Sequence, residues 1–129
     1  MQGRGGELYE KELLPRTCRH HIELAREFEN WVLADSRFEL VSPRNFSLVC
    51  FRLRADNRTN RRLLDRVNDS GRVFLTHTVL DDKFTLRLAI GGASTRLEDV
   101  KEAWGAIQDN VQAAVEDMTI HQGSMDESL

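Results

Sequence analysis

Arg87 occupies an unusual place in the sequence, and its chemistry is the first indication of function. The stretch "KFTLRLAIGG", residues 83–92, alternates apolar and other residues, and Leu86 and Leu88 flank the arginine. A guanidinium is always charged and presents a planar fork of donors that matches a carboxylate. The residues alone favour a solvated side chain on an open face of a β-sheet.

The histidines are the other side chains that could act as acids, bases or ligands. His20 and His21 are adjacent, so on a helix they point about 100° apart and cannot hold one metal ion together. His77 lies in "LTHTV" and could titrate near neutrality, but no nucleophile or base lies near it in sequence. We predict a packed or hydrogen-bonded His77, keep a site role for it as the lesser alternative, and predict no metal site.

Neither cysteine belongs to a recognisable site. Cys18 and Cys50 are far apart and lack C-x-x-C spacing, so two buried free thiols are predicted, with neither a disulfide nor a zinc site. The stretch "GGAST", residues 91–95, leads from a strand into a helix, which is a geometry that can hold an anion. It lacks both G-x-G-x-x-G and a P-loop lysine, so a plain turn is predicted.

An arginine cluster could indicate contacts with nucleic acid. Its members are Arg58, Arg61, Arg62 and Arg66. Proteins that bind single strands combine such charges with aromatic side chains, and none is interleaved with this cluster. We predict a solvated helix face and no nucleic-acid partner, with RNA binding kept as an alternative that salt-sensitive affinity would reveal.

Length and composition are those of one soluble globular domain. The chain has 129 residues, of which 40% are hydrophobic and 30% charged, and its net charge of −3 gives no general attraction to nucleic acid or anionic membranes. No window approaches the roughly 18 apolar residues of a membrane span, and the first residues lack the apolar run of a signal peptide. A cytoplasmic protein without a membrane partner is predicted.

Hydrophobic periodicity and turn residues divide the chain into seven elements. Asp81 and Asp82 predict a tight hairpin, and Thr95 followed by Glu98 predicts a capping box for the last helix. The predicted elements are a helix over 18–35, strands over 37–41 and 46–54, a helix over 57–71, strands over 72–80 and 83–90, and a helix over 97–118.

The order of these elements predicts an α+β fold. A four-stranded, mostly antiparallel sheet carries three helices on one face, in the order α-β-β-α-β-β-α. Residues 18–118 form the predicted domain, residues 1–17 a divergent and partly disordered segment, and residues 119–129 a disordered tail. Alternation directs Leu86 and Leu88 towards the helices and leaves Thr85, Arg87 and Ala89 on the opposite face.

Three stretches carry a resemblance to a known family. They are "RHHIELAREFENWVLADSRFELVSPRNFSLVCFRLR", "GRVFLTHTVLDDKFTLRLAIGGAST" and "EDVKEAWGAIQ". From about Arg19 to Gln112 the chain resembles the carboxy-terminal portion of plant tyrosine and aromatic L-amino-acid decarboxylases, the group II enzymes that use pyridoxal phosphate. The first eighteen residues depart from the family at "ELLPRTC", which leads us to expect a truncated or rearranged gene product.

The resemblance implies the small domain of a larger, homodimeric enzyme. In that family a large domain holds pyridoxal phosphate through a lysine that follows a histidine, and Lys11, Lys83 and Lys101 do not match that position. We therefore expect no cofactor binding and no decarboxylation by this chain alone, and a large pyridoxal-phosphate domain or decarboxylase subunit as its partner. A stand-alone, non-enzymatic binding module of ferredoxin-like character is the alternative.

The resemblance also gives Arg87 a role. In this family the helix-free face of the small domain turns towards the large domain, and relatives have an arginine at this strand position directed to the substrate end of the site. Decarboxylation discharges the substrate carboxylate, so a contact equally strong throughout the reaction would slow the chemical step. Arg87 is therefore expected to orient the substrate, with no catalytic residue in this chain.

Overall fold

The computed structural model describes residues 15–92 and 94–128, with side chains described as far as Asp117. The elements are α1 (Arg16–Ala34), β1 (Phe38–Leu40), β2 (Leu48–Leu53), α2 (Asn57–Asp69), β3 (Thr76–Leu80), β4 (Lys83–Ala89) and α3 (Leu97–Ser128). Residues 1–14 lie outside the described part, so their predicted disorder stays a prediction. Helix α3 continues to Ser128, ten residues beyond its predicted end at 118, so residues 119–128 of the predicted tail belong to this helix.

Within the described ranges, four strands form one antiparallel sheet in the order β1-β2-β4-β3. The two longest strands, β2 and β4, occupy the centre, which agrees with the apolar "LVCF" of β2. The three helices among these residues lie on one face of the sheet, so the predicted α+β fold and element order are confirmed.

The core lies between the helices and one face of the sheet. Phe28 of α1 packs edge-on against Phe51 of β2, with ring centroids 5.3 Å apart, and against Trp104 of α3 at 5.5 Å. Leu86 and Val49 are fully buried on this face. Such aromatic contacts and apolar burial are the main stabilising terms of a domain of this size.

Strand β3 begins four residues later than predicted. The sequence "RVFLTHTVL" predicted a strand from Arg72, but Leu75 is bonded to the side chain of Asn68 in α2, not to β4. The Asn68 amide accepts from the Leu75 N–H at 2.7 Å and donates to its carbonyl at 3.0 Å. One side chain thus satisfies both backbone groups of Leu75, the residue immediately before β3.

Two further predictions need correction. Cys50 is buried as expected, but Cys18 is exposed, because burial on α1 begins only at Ile22 and the first turn has no covering element in the described structure.

The capping interaction of α3 lies one residue later than predicted. The Asp99 carboxylate accepts from the Arg96 N–H at 2.8 Å, and Thr95 instead donates its hydroxyl to the Gly91 carbonyl.

The β3–β4 hairpin is as tight as predicted. Leu80 pairs with Lys83 across the two-residue turn formed by Asp81 and Asp82, whose φ angles are 51° and 62°. Two consecutive positive φ angles define a type I′ turn, whose twist matches that of the flanking strands. This turn fixes the register of β4, and with it the face on which Arg87 lies.

Candidate functional site

Arg87 lies on the face of the sheet that carries no helix, as the alternation predicted. Its register partners are Cys50 on β2 and Thr76 on β3, and all three side chains point to that face. The arginine is half-buried, and its guanidinium makes no hydrogen bond or ion pair with any described residue. A permanent cation therefore stands at the centre of the sheet without a partner in the described part of the chain.

Arg52 lies on the same face as Arg87, but its guanidinium is bonded to three groups of its own chain. It is 6% exposed, and its guanidinium donates to the carbonyl of Phe84 at 3.2 Å and to that of Ala55 at 2.9 Å. It also donates to the Asn57 side chain at 3.1 Å. Arg52 was not a predicted site residue, although a cation in the apolar "LVCFRL" is the signal that could have identified it.

The bonds of Arg52 have a structural purpose at the end of the sheet. The register between β2 and β4 runs only as far as Phe51 and Leu86, so the next backbone groups need other partners. Asn60 of α2 bonds to both the N–H and the carbonyl of Leu53, while Asn57 accepts from the Phe84 N–H at 2.9 Å. Helix α2 and Arg52 thus fix the start of β4, and none of these bonds involves the Arg87 side chain.

Two adjacent histidines fix the other end of β4. His20 Nε2 donates to the carbonyl of Thr95 at 3.0 Å, and His21 Nε2 donates to that of Gly92 at 2.7 Å. Since a carbonyl only accepts, each Nε2 carries the hydrogen. Among the described residues of "GGAST", the Thr95 N–H donates to the Gly92 carbonyl at 3.4 Å, which agrees with the predicted turn. These two residues are tied to α1 over a separation of more than seventy residues that no local sequence pattern reveals.

His77 and Arg87 do not form one site. His77 pairs with Leu86, so its side chain points to the helix side of the sheet, while Arg87 points to the opposite side. Its ring is stacked on Phe84, with centroids 4.7 Å apart and an angle of 12° between the planes. The packed interpretation of His77 agrees with this contact, and a role of His77 in substrate binding stays a prediction.

The arginine cluster of α2 was predicted to form a solvated helix face, but two of its four members are bonded to α3. Arg66 Nε and Arg62 Nε donate to one carboxylate oxygen of Asp117 in α3, at 2.6 and 2.8 Å. These two hydrogen bonds, that of Arg66 first, lower the pKa of Asp117 to about 2. Arg62 and Arg66 thus join α2 to α3, and Arg58 and Arg61 stay exposed.

The described lysines and metal-ligating side chains do not gather into one cluster. The two lysines in the described ranges, Lys83 and Lys101, are both exposed and lie on different elements. No group of three or more metal-ligating side chains occurs in the described part of the chain. Nor does any helix there combine the length and the apolar character that crossing a membrane requires. The candidate site is therefore the helix-free sheet face, where the Arg87 guanidinium has no partner among the described residues.

Comparison with known proteins shows what the chain is related to. No protein-family model matches it. The chain is 50% identical over 109 residues to tyrosine decarboxylase 2 of Narcissus pseudonarcissus and, over the same length, to phenylacetaldehyde synthase of Arabidopsis thaliana, covering 79% of this chain and 22% of each relative. The crystal structure of Catharanthus roseus tryptophan decarboxylase with L-tryptophan superimposes with a TM-score of 0.73 and 43% identity, over 76% of this chain and 22% of that one.

The fold and these matches define a class first: the chain is the counterpart of the carboxy-terminal domain of pyridoxal-phosphate-dependent decarboxylases. Within that class its homologues are the plant tyrosine and aromatic amino-acid decarboxylases, and the resemblance drawn from the sequence is confirmed. The chain spans about a fifth of the length of the curated relatives it matches.

Proposed function

We propose that this chain acts as the small domain of a pyridoxal-phosphate-dependent aromatic amino-acid decarboxylase and presents Arg87 to the carboxylate of the substrate. The observation that carries the proposal is the state of Arg87, which is half-buried on the helix-free face and unbonded to any described residue. Arg52 on the same face shows that this chain can bond an arginine fully. The free guanidinium therefore suits a ligand supplied from outside the domain.

The chemistry of Arg87 fits orientation of an amino-acid substrate. Its fork of N–H groups can donate to both oxygens of a carboxylate, which fixes the direction of the substrate as well as pairing its charge. The cofactor, held by a second domain, would supply the electron sink for the bond that breaks. Because the carboxylate leaves as uncharged carbon dioxide, a contact kept at full strength would not lower the barrier, so Arg87 binds and aligns the substrate.

The elements around Arg87 favour this positioning role. Asn57 and Arg52 hold the start of β4, and His20 and His21 hold the turn that follows it, so the strand that carries the guanidinium is fixed at both ends. A fixed strand keeps an orienting group within the small tolerance that a reacting geometry allows. Both a decarboxylase and an aldehyde synthase share this domain at 50% identity, so we propose the orienting role independently of the final product.

A chimeric enzyme tests the proposal. The matched carboxy-terminal region of Narcissus pseudonarcissus tyrosine decarboxylase is replaced by this chain, and steady-state kinetics are measured with tyrosine, dopa and tryptophan. We expect Arg87→Met to lower kcat/KM by roughly ten- to hundredfold, mainly through KM, since a charged hydrogen bond contributes about 1.5–3 kcal/mol. Arg87→Lys keeps the charge but lacks the planar fork of donors, so its kcat/KM should lie between those of the unchanged chimera and Arg87→Met.

Arg61→Met is the matched control, because it removes an exposed arginine from α2 on the other side of the sheet. It should leave both kinetic constants of the chimera unchanged. An active chimera whose KM is the same with and without Arg87 would show that the guanidinium does not meet the substrate. A chimera that folds, binds the cofactor and stays inactive would favour a stand-alone binding module.

The proposal also covers the assembled enzyme, which we expect to be a cytoplasmic homodimer that depends on its large domain for activity. The chain alone, mixed with pyridoxal phosphate and an aromatic amino acid, should release no carbon dioxide. Sedimentation of the chimera and fractionation of cells that express it measure the other two properties. A chain that decarboxylates by itself would overturn this part of the proposal.

A further inference from the structure

Among the described residues, strand β3 forms an open edge of the sheet, and its sequence lacks the usual protection against pairing. It is the last strand in the order β1-β2-β4-β3, and it is five residues long. Residues 73–80, "VFLTHTVL", contain no Asp, Glu, Lys, Arg or Pro. Charges, prolines and shortness are the features by which natural sheets keep their edges from pairing with other chains.

The opposite edge of the sheet has these features. Strand β1 is only three residues long, and its central residue is Glu39, which lies within 4.0 Å of Arg52 and 3.8 Å of Arg54. The difference between the two edges is therefore one of sequence as well as of length. Exposed apolar side chains continue the contrast, since Val79 is 61% exposed and Phe74 is 75% exposed beside the open edge.

The hairpin turn determines which backbone groups of β3 are unpaired. In a two-residue type I′ hairpin the residues that flank the turn, Leu80 and Lys83, form a hydrogen-bonded pair. Hydrogen-bonded pairs alternate along an antiparallel ladder, so Thr78 and Thr76 also bond to β4. The N–H and carbonyl groups of His77 and Val79 then point away from the sheet, towards the open edge.

We propose that β3 is the surface through which two copies of this chain associate, antiparallel and edge to edge, about a two-fold axis at Thr78. In this register His77 of one copy pairs with Val79 of the other, and the reverse pair is identical. The outward N–H and carbonyl groups of both residues are then all bonded. The result is one continuous sheet across both copies, and the proposal stands apart from the role of Arg87 as substrate-orienting residue.

The side chains suit this register better than any pairing with β1. Thr78 meets its own counterpart on the helix-free face, and threonine pairs across antiparallel strands are favourable. On the other face Val79 meets His77, which is already stacked on Phe84. No like charges oppose each other, whereas pairing β3 with β1 would place Glu39 in the ladder and generate an open-ended array. A second copy is therefore the occupant that this edge fits.

Self-pairing at Thr78 gives a test by charge exchange. Sedimentation velocity of the whole chain, over concentrations from roughly micromolar to millimolar because so short an interface is weak, should show a reversible dimer. Thr78→Lys and Thr78→Glu each place like charges opposite one another and should raise the dissociation constant at least roughly tenfold. An equimolar mixture of these two variants should associate again, as a heterodimer.

Val79→Lys and Leu33→Lys complete the design with a matched pair. The two positions are 61% and 62% exposed, but Leu33 lies on α1, away from the edge. Val79→Lys should weaken the dimer, Leu33→Lys should not, and circular dichroism checks that all variants are folded. A chain that stays monomeric at every concentration overturns the proposal, and so does a dimer that none of the changes at residues 78 and 79 affects.

Discussion

The two arginines of the helix-free face allow a direct test of whether that face is complete within this chain. Arg52→Met and Arg87→Met remove the same charge from neighbouring strands and keep a flexible apolar side chain of similar reach. Arg52 bonds to three groups of its own chain, while Arg87 bonds to none among the described residues. We expect unequal effects of the two substitutions on the free energy of unfolding.

The expected loss for Arg52→Met comes from the acceptors left behind. The carbonyl of Phe84 is buried at the end of the β2–β4 ladder and accepts from Arg52, so without the guanidinium it becomes unsatisfied, at about 1–3 kcal/mol. The carbonyl of Ala55 keeps a weaker bond from Asn60 at 3.4 Å. Adding the lost bond to Asn57, we expect Arg52→Met to lower the free energy of unfolding by about 2–4 kcal/mol.

Arg87→Met removes no bond within the described structure, so its expected effect on unfolding lies within about 0.5 kcal/mol. Urea unfolding at neutral pH, followed by far-UV circular dichroism, measures both variants against the unchanged chain, with equal m-values as the check that the same transition is compared. A loss of stability from Arg87→Met that equals that of Arg52→Met would refute the reasoning, because it would show that Arg87 serves this domain's own fold.

Two more substitutions probe the contacts of α2. The pKa of Asp117 is about 2, below its ordinary 3.8, so the folded state favours the carboxylate, and the free energy of unfolding must fall as the pH drops from about 4 towards 2. Asp117→Asn should flatten that fall in urea titrations across this pH range; an unchanged slope would contradict it. Asn60→Leu leaves the buried N–H of Leu53 unbonded and should cost about 1–3 kcal/mol in the same assay. Asn110→Leu is its control and should cost under about 0.5 kcal/mol, because the Asn110 amide donates only to a carbonyl within its own helix.

The parts of the fold that could be predicted from the sequence are those with a regular hydrophobic period. The alternation in β4 was sufficient to place Arg87 opposite the helices, and the periods of α1 and α3 gave the helices themselves. The contact of Asn68 with the backbone of Leu75, just before β3, could not be predicted from the sequence. Local patterns describe repeated environments, whereas this contact depends on where two elements meet in space.

The bonding state of each arginine was likewise beyond a sequence pattern. Arg52 and Arg87 both lie in apolar strands with the same alternation. Only Arg52 bonds to α2 and to a backbone group beyond the last β2–β4 pair. Arg62 and Arg66 looked solvated because their partner, Asp117, lies more than fifty residues away. Residue type and hydrophobic period show which face of an element a charged side chain occupies, but its bonding partners depend on tertiary packing.

The two surfaces for which we propose partners are separable, since one is a face of the sheet and the other an edge. Arg87 lies on β4, and its neighbour towards the edge is Thr76, whose backbone bonds inwards in the proposed pairing. A second copy at β3 would extend the sheet sideways and leave the helix-free face over Arg87 open to another domain. Val79→Lys changes the helix side of the edge and therefore tests association, while the substitution of Arg87 tests substrate binding on the opposite face, and each proposal can fail without the other.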